Sequence, residues 1–186
     1  MRSPAGRWLA GMAGLCALVA AVAGTGPTAA SAASVGVTPP DTLVSLGDDF
    51  YIRVEADAFP DLKGYHLIFE FDPTIVQLLG ALPGDVLTGA SGAYFSALVP
   101  DVSAPADSAS YDAAMLDGST AGPGVLVYFR FRALQAGLSS VICRRVDYRD
   151  SNNAQTFPGC TGGQIRVVGA TEVLRPSWGR MKVLYR

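Results

Sequence analysis

Apolar and polar residues alternate with a period of two through most of this chain, and the clearest case is residues 65–71. Tyr65, Leu67, Phe69 and Phe71 fall on one side of that run, with Gly64, His66, Ile68 and Glu70 on the other. That is the pattern of a half-buried strand whose aromatic side faces a core. Asp72-Pro73 ends the run, because proline has no N–H to give a central ladder and Asp readily bonds turn backbone. Residues 75–82 restart the apolar run and Pro83-Gly84 closes it. A second clear alternation covers 125–133, with Val125, Val127, Phe129 and Phe131 expected inward and Leu126, Tyr128, Arg130 and Arg132 outward.

Shorter runs at 35–38, 43–46, 50–57, 93–99, 108–116, 138–148 and 164–168 are separated by glycine, proline and Asp/Asn turn signals. The stretch from Asp85 to Gly92 is expected as a loop, and 100–107, with two prolines, as a long surface loop. About nine short strands with turns every ten residues or so predict an all-β sandwich. Helical periodicity is absent before the tail.

The two ends differ from this body. Arg2 and Arg7, the apolar run 8–24 and Ala30-Ser31-Ala32 mark residues 1–32 as a secretory signal peptide. That leaves 33–168 as one sandwich domain, 169–186 as a tail, and no transmembrane segment in the mature chain. Removing the two signal arginines takes the formal charge from −2 to −4, which gives no basic surface for nucleic acid. Residues 33–168 carry eight basic and fifteen acidic groups, whereas the tail carries +3 and sets Trp178, Met181 and Tyr185 on one face of a short helix, marginal alone. With Cys16 lost in the signal, Cys143 and Cys160 remain as an even pair bound for an oxidising compartment. Their disulfide would close a loop of roughly 17 residues, worth about 3 kcal/mol on the chain-entropy model.

Candidate chemistry is sparse. His66 is the one histidine, and no Gly-x-Ser-x-Gly elbow accompanies it, so no catalytic residue is assigned. Zinc would need histidines or free thiols in number. Asp147, Asp150, Asn152 and Asn153 cluster oxygen atoms suited to calcium, with plain turn building as the alternative. No other cofactor is expected.

Several short motifs resemble those of bacterial cohesin modules over about residues 35–168. They are Phe71-Asp72-Pro73 followed by Pro83-Gly84-Asp85, the early Val44-Ser45-Leu46-Gly47-Asp48, Gly124-Val125 opening a long strand, and Gly-Gly-x-Ile-x-Val from Gly162 to Val167. The resemblance implies a nine-stranded jelly-roll sandwich that binds without catalysing. Cohesins grip dockerin modules on plant-wall enzymes, and relatives in the superfamily bind polysaccharide. In the familiar type, the outward side of the strand before the Asp-Pro corner carries Asn and Asp; Gly64 and His66 stand there in this chain.

The function expected is a secreted, non-catalytic module at a bacterial surface or in an extracellular polysaccharide-degrading assembly, with a dockerin-like module or another extracellular protein as partner. Its binding residues are expected to be Gly64, His66, Ile68 and Glu70 with Leu126, Tyr128 and Arg130. A carbohydrate-binding module stacking sugars on Tyr94, Tyr111 and Tyr128 is the alternative, and a structural surface protein the third reading.

Overall fold

A computed structural model of the chain describes residues 33–99 and 107–169. The expected signal peptide, nearly all of the expected long proline-containing loop and nearly all of the expected tail lie outside the described residues. The described part is almost entirely β: β1 (Ser34–Thr38), β2 (Asp41–Ser45), β3 (Asp49–Ala56), β4 (Gly64–Glu70), β5 (Val76–Pro83), α1 (Asp85–Thr88), β6 (Tyr94–Val99), β7 (Ser108–Met115), β8 (Gly124–Ala133), β9 (Gly137–Arg149), β10 (Gln155–Thr156), β11 (Gly159–Thr161) and β12 (Gly163–Val168). Twelve strands replace the nine expected, chiefly because residues 155–168 break at Pro158 and Gly162 into three short pieces. One sheet runs β11-β1-β3-β8-β5; the other runs β2-β12-β9-β4-β7-β6, with β10 paired to β9.

The Asp72-Pro73 corner is a change of sheet and not a hairpin, since β4 pairs with β7 and β9 whereas β5 pairs with β8. Asp72 builds that corner. Its Oδ1 accepts hydrogen bonds from the Thr74 hydroxyl (2.6 Å) and N–H (2.9 Å), which hold its carboxyl below the usual range, while its own N–H donates to Ser139 Oγ at 2.9 Å. A single helical turn, α1, occupies part of the expected loop after Asp85, and Val86 and Leu87 from it are buried in the core. Flanking glycines and so short an element leave no periodicity to read.

The two sheets meet through aromatic rings. Phe129 of β8 lies edge-on to Phe69 of β4 (6.0 Å between centroids) and to Tyr111 of β7 (6.2 Å), and Phe131 packs on Phe71 at 5.1 Å. Truncating one such ring to alanine costs about 3 to 5 kcal/mol by transfer and cavity terms. The Cys143–Cys160 disulfide ties β9 in one sheet to β11 in the other.

One expected alternation fails inside β8. Val54 faces Val127 and the next residue, Glu55, faces Val125, so Leu126 is an extra residue, a β-bulge. Past the bulge the side chains change sides. Leu126 is 0 % exposed in the main core, whereas Val125, expected inward, is buried apart from that cluster. The Leu126 carbonyl, free of the ladder, accepts the Tyr65 hydroxyl at 2.6 Å and the Gly84 N–H at 2.9 Å.

Burial pushes the phenols of Tyr65, Tyr111 and Tyr148 upward from their ordinary value. A raised phenol favours the neutral form in the folded state, so its stabilising contribution is present below about pH 10 and is lost as pH rises further. Ultraviolet titration should therefore show these three ionising only as the chain unfolds. Reversible ionisation of all seven tyrosines near pH 10, with near-ultraviolet dichroism retained, would contradict this packing.

Candidate interaction face

β4 runs through the seven-stranded sheet between β7 and β9, and period two sends its even-numbered residues to the outer face. Register then fixes what lies beside each one. His66 is flanked by Asp112 of β7 and Asp147 of β9, Ile68 by Ser110 and Arg145, and Gly64 by Ala114 and Arg149. His66 Nδ1 lies 2.6 Å from Asp112 Oδ1, which calls for the ring proton on Nδ1, because a carboxylate only accepts.

A second irregularity shapes the charged side of the face. Ile68 pairs with Arg145 and Phe69 with Cys143, leaving Arg144 as the extra residue, so two consecutive arginines reach outward. Arg144 meets Glu70 at 2.6 Å, and Arg145 Nε donates to Asp147 Oδ2 at 2.7 Å. These pairs are exposed on the arginine side and add little stability. Their consequence is positional: the charges are held in a fixed pattern.

Three small residues, Gly64, Ala97 and Ala114, interrupt the larger side chains toward β6. The row Phe95, Ala114, Gly64, Arg149 crosses four strands, and the next row is Ala97, Asp112, His66, Asp147. A shallow trough follows them, lined by Gly64, Ala114, His66, Asp112, Asp147 and Arg149, and the exposed Phe95 ring ends the first row on β6. A Cβ at Gly64 would stand 3.0 Å from the Ala113 carbonyl, so this ladder holds a side chain there only by yielding.

The face thus unites Gly64, His66, Ile68 and Glu70, and adds Asp112, Asp147, Arg144, Arg145 and Phe95. It does not include the other three expected partner residues. β8 belongs to the opposite sheet, so Tyr128 and Arg130 point out of the far side of the sandwich, and the bulge carries Leu126 into the core. Asp112 points outward because Ala109, Tyr111, Ala113 and Met115 take the inner side of β7, but a run so rich in alanine and serine does not declare that side in the sequence; the bulge at Arg144 leaves no sequence signal either.

The carbohydrate triad also separates. Tyr111 is 1 % exposed beneath β7, Tyr94 sits across from buried Met115, and Tyr128 is on the other sheet, so no row of rings forms. The calcium candidates do not converge either. Asp147 is buried against Arg145, and Asp150 Oδ1 accepts the N–H groups of Asn152 and Ala154 (2.9 and 2.7 Å) in a turn where Asn153 takes φ 63°. Among the described residues no three His, Cys, Asp or Glu side chains gather as a metal site, and no helix is long and apolar enough to cross a membrane.

No protein-family model and no curated protein matches this chain. Solved structures do. A non-cellulosomal cohesin from the hyperthermophilic archaeon Archaeoglobus fulgidus superposes with TM-score 0.61 at 14% identity, covering 76% of this chain and 94% of that one. A type I cohesin from Clostridium thermocellum, solved in complex with a dockerin, gives TM-score 0.62 at 14% identity, covering 77% of this chain and 98% of that one. The cohesin module of a Clostridium perfringens family 33 glycoside hydrolase gives 0.60 at 10% identity over 74% and 98%. The fold is that of a cohesin module, as the motifs had implied.

The placement of Leu126 separates the observed bulge from plain alternation. Leu126→Ala should destabilise the chain by about 2 to 5 kcal/mol through the cavity it leaves, while Tyr128→Ala should shift stability by about half a kcal/mol or less. Denaturant unfolding measures both, and a Leu126→Ala variant as stable as the parent would contradict the bulge.

Proposed function

We propose that this chain is a non-catalytic protein-binding module that docks a dockerin-like partner on the outer face of its seven-stranded sheet. The single observation that carries the reading is the trough beside β4, set in a cohesin-like fold. Small residues let a partner's ridge approach the sheet closely, Phe95 and Ile68 supply apolar surface to desolvate, and the arginine pairs and His66–Asp112 fix register at the rim. The Clostridium thermocellum neighbour, solved with a dockerin bound, supports this choice of partner class.

The chemistry offered differs from that of the type carrying Asn and Asp on this strand. Gly64 presents no side chain, and His66 presents an imidazole already committed at Nδ1, so the partner's complementary groups differ too. With residues 1–32 acting as an export signal, the module works outside the cell, at a bacterial surface or within a polysaccharide-degrading assembly.

Capture from the native secretome on the immobilised chain, beside a panel of dockerin modules, tests the proposal. Ile68→Ser and His66→Ala should each weaken binding of the captured protein at least about tenfold, as loss of a central contact does, with stability moved by about half a kcal/mol or less. Capture that is indifferent to both substitutions would place the interface elsewhere, and failure to capture any protein would leave a spacer role as the better account.

A further inference from the structure

The outer face of the five-stranded sheet carries a second arrangement, one that the docking proposal does not use. Register sets Arg53 of β3 opposite Tyr128 of β8, which in turn faces Leu82 of β5; the next row is Tyr51, Arg130, Gly80, and the next Asp49, Arg132, Gln77. Tyr51 and Tyr128 are therefore diagonal neighbours, about 7–8 Å apart by ordinary ladder geometry. Tyr51 is 49% and Leu82 53% exposed.

Ion pairs frame this strip. Arg130 and Arg132 both bind the Asp49 carboxylate at 2.7 Å, which holds that carboxyl below the usual range, and Arg53 meets Glu55 at 2.7 Å. Gly80 and Gly36 lie to either side of it. A Cβ added at either would meet nothing within 4 Å, and neither takes a positive φ, so no intramolecular packing calls for glycine at either position. Gly80 follows a β-bulge at Leu79, which suits glycine by itself, whereas Gly36 stands in a ladder to β3 with no register shift; both leave the backbone bare where a ligand can approach closely.

We propose that this face binds a neutral polysaccharide, with sugar rings stacked on Tyr51 and Tyr128. A pyranose has an apolar C–H face and a rim of uncharged hydroxyls. The two rings and Leu82 match the face. The paired guanidinium and carboxylate groups match the rim, because each arginine keeps free N–H donors in a fixed direction while its charge is already answered. A charged protein partner would have to compete for those same pairs, which favours the neutral ligand. The bare floor at Gly80 gives the chain of sugars a path across the sheet. The site lies on the opposite side of the sandwich from the trough, so the module could hold a protein and a glycan together.

Affinity gel electrophoresis of the full chain through soluble xylan, hydroxyethylcellulose and mixed-linkage β-glucan, with pull-down on insoluble cellulose and chitin, tests this. At least one polysaccharide should retard the chain. Tyr51→Ala and Tyr128→Ala should each weaken that retention about tenfold or more, the loss expected of an aromatic anchor. Gly80→Val should abolish retention while leaving the melting temperature unchanged or raised, since valine suits a strand and meets no neighbour there. His66→Ala and Ile68→Ser should leave retention intact, which keeps this outcome distinct from the docking test. No retardation by any member of the panel overturns the proposal, as does retention unaffected by the tyrosine and glycine variants. Loss of a captured protein on Tyr51→Ala without polysaccharide retention would overturn it in favour of a second protein interface.

Discussion

The seam of aromatic rings between the sheets sets everything else in place. Phe129 and Phe131 can pack on Phe69, Tyr111 and Phe71 only if β8, β4 and β7 all keep these side chains inward. Because a strand alternates strictly, fixing its inner residues also fixes the outer ones; a slip of one residue would exchange His66, Ile68 and Glu70 for buried rings. The surface chemistry of both faces is thus a consequence of core packing. The disulfide from β9 to β11 adds a covalent tie between the same two layers.

The bulges modify this rule at chosen places. At Leu126 the extra residue brings a further apolar side chain into the core beside Val127, Phe129 and Phe131 and supplies a carbonyl to the buried Tyr65 hydroxyl, so a phenol sits deep in the core with its hydrogen bond satisfied. At Arg144 the extra residue doubles the positive charge beside β4, and Glu70 and Asp147 answer it. Outer faces with different characters result: one a trough with charges to one side, the other a strip of rings framed by ion pairs.

Much of this was legible in the sequence, and for identifiable reasons. The strands with strict alternation, 65–71 above all, declared both their type and their inner side, and the Asp-Pro corner with its Pro-Gly-Asp sequel carried the resemblance that the solved cohesins bear out at the level of fold. The division between sheets was not legible. Gly64, His66, Ile68 and Glu70, and likewise Tyr128 and Arg130, read as outward, yet nothing local says that the two sets face away from one another, because strand pairing is a long-range property. The bulges were hidden for a related reason: Gly-Val-Leu-Val-Tyr is apolar throughout, so alternation there had no polar residue to reveal where it breaks. Tyr111 was misjudged because 108–116 is rich in alanine and serine, too weak a pattern to show its inner side.

On the proposed reading the two faces do different work, and the partner protein meets the seven-stranded one. Hydrogen–deuterium exchange on the intact chain, with and without the protein captured from the secretome, reads this directly. New protection is predicted in β4, β6, β7 and β9 around His66, Phe95, Asp112 and Arg145, with β3, β5 and the Tyr128 end of β8 unchanged. Protection confined to β3, β8 and β5 would contradict it.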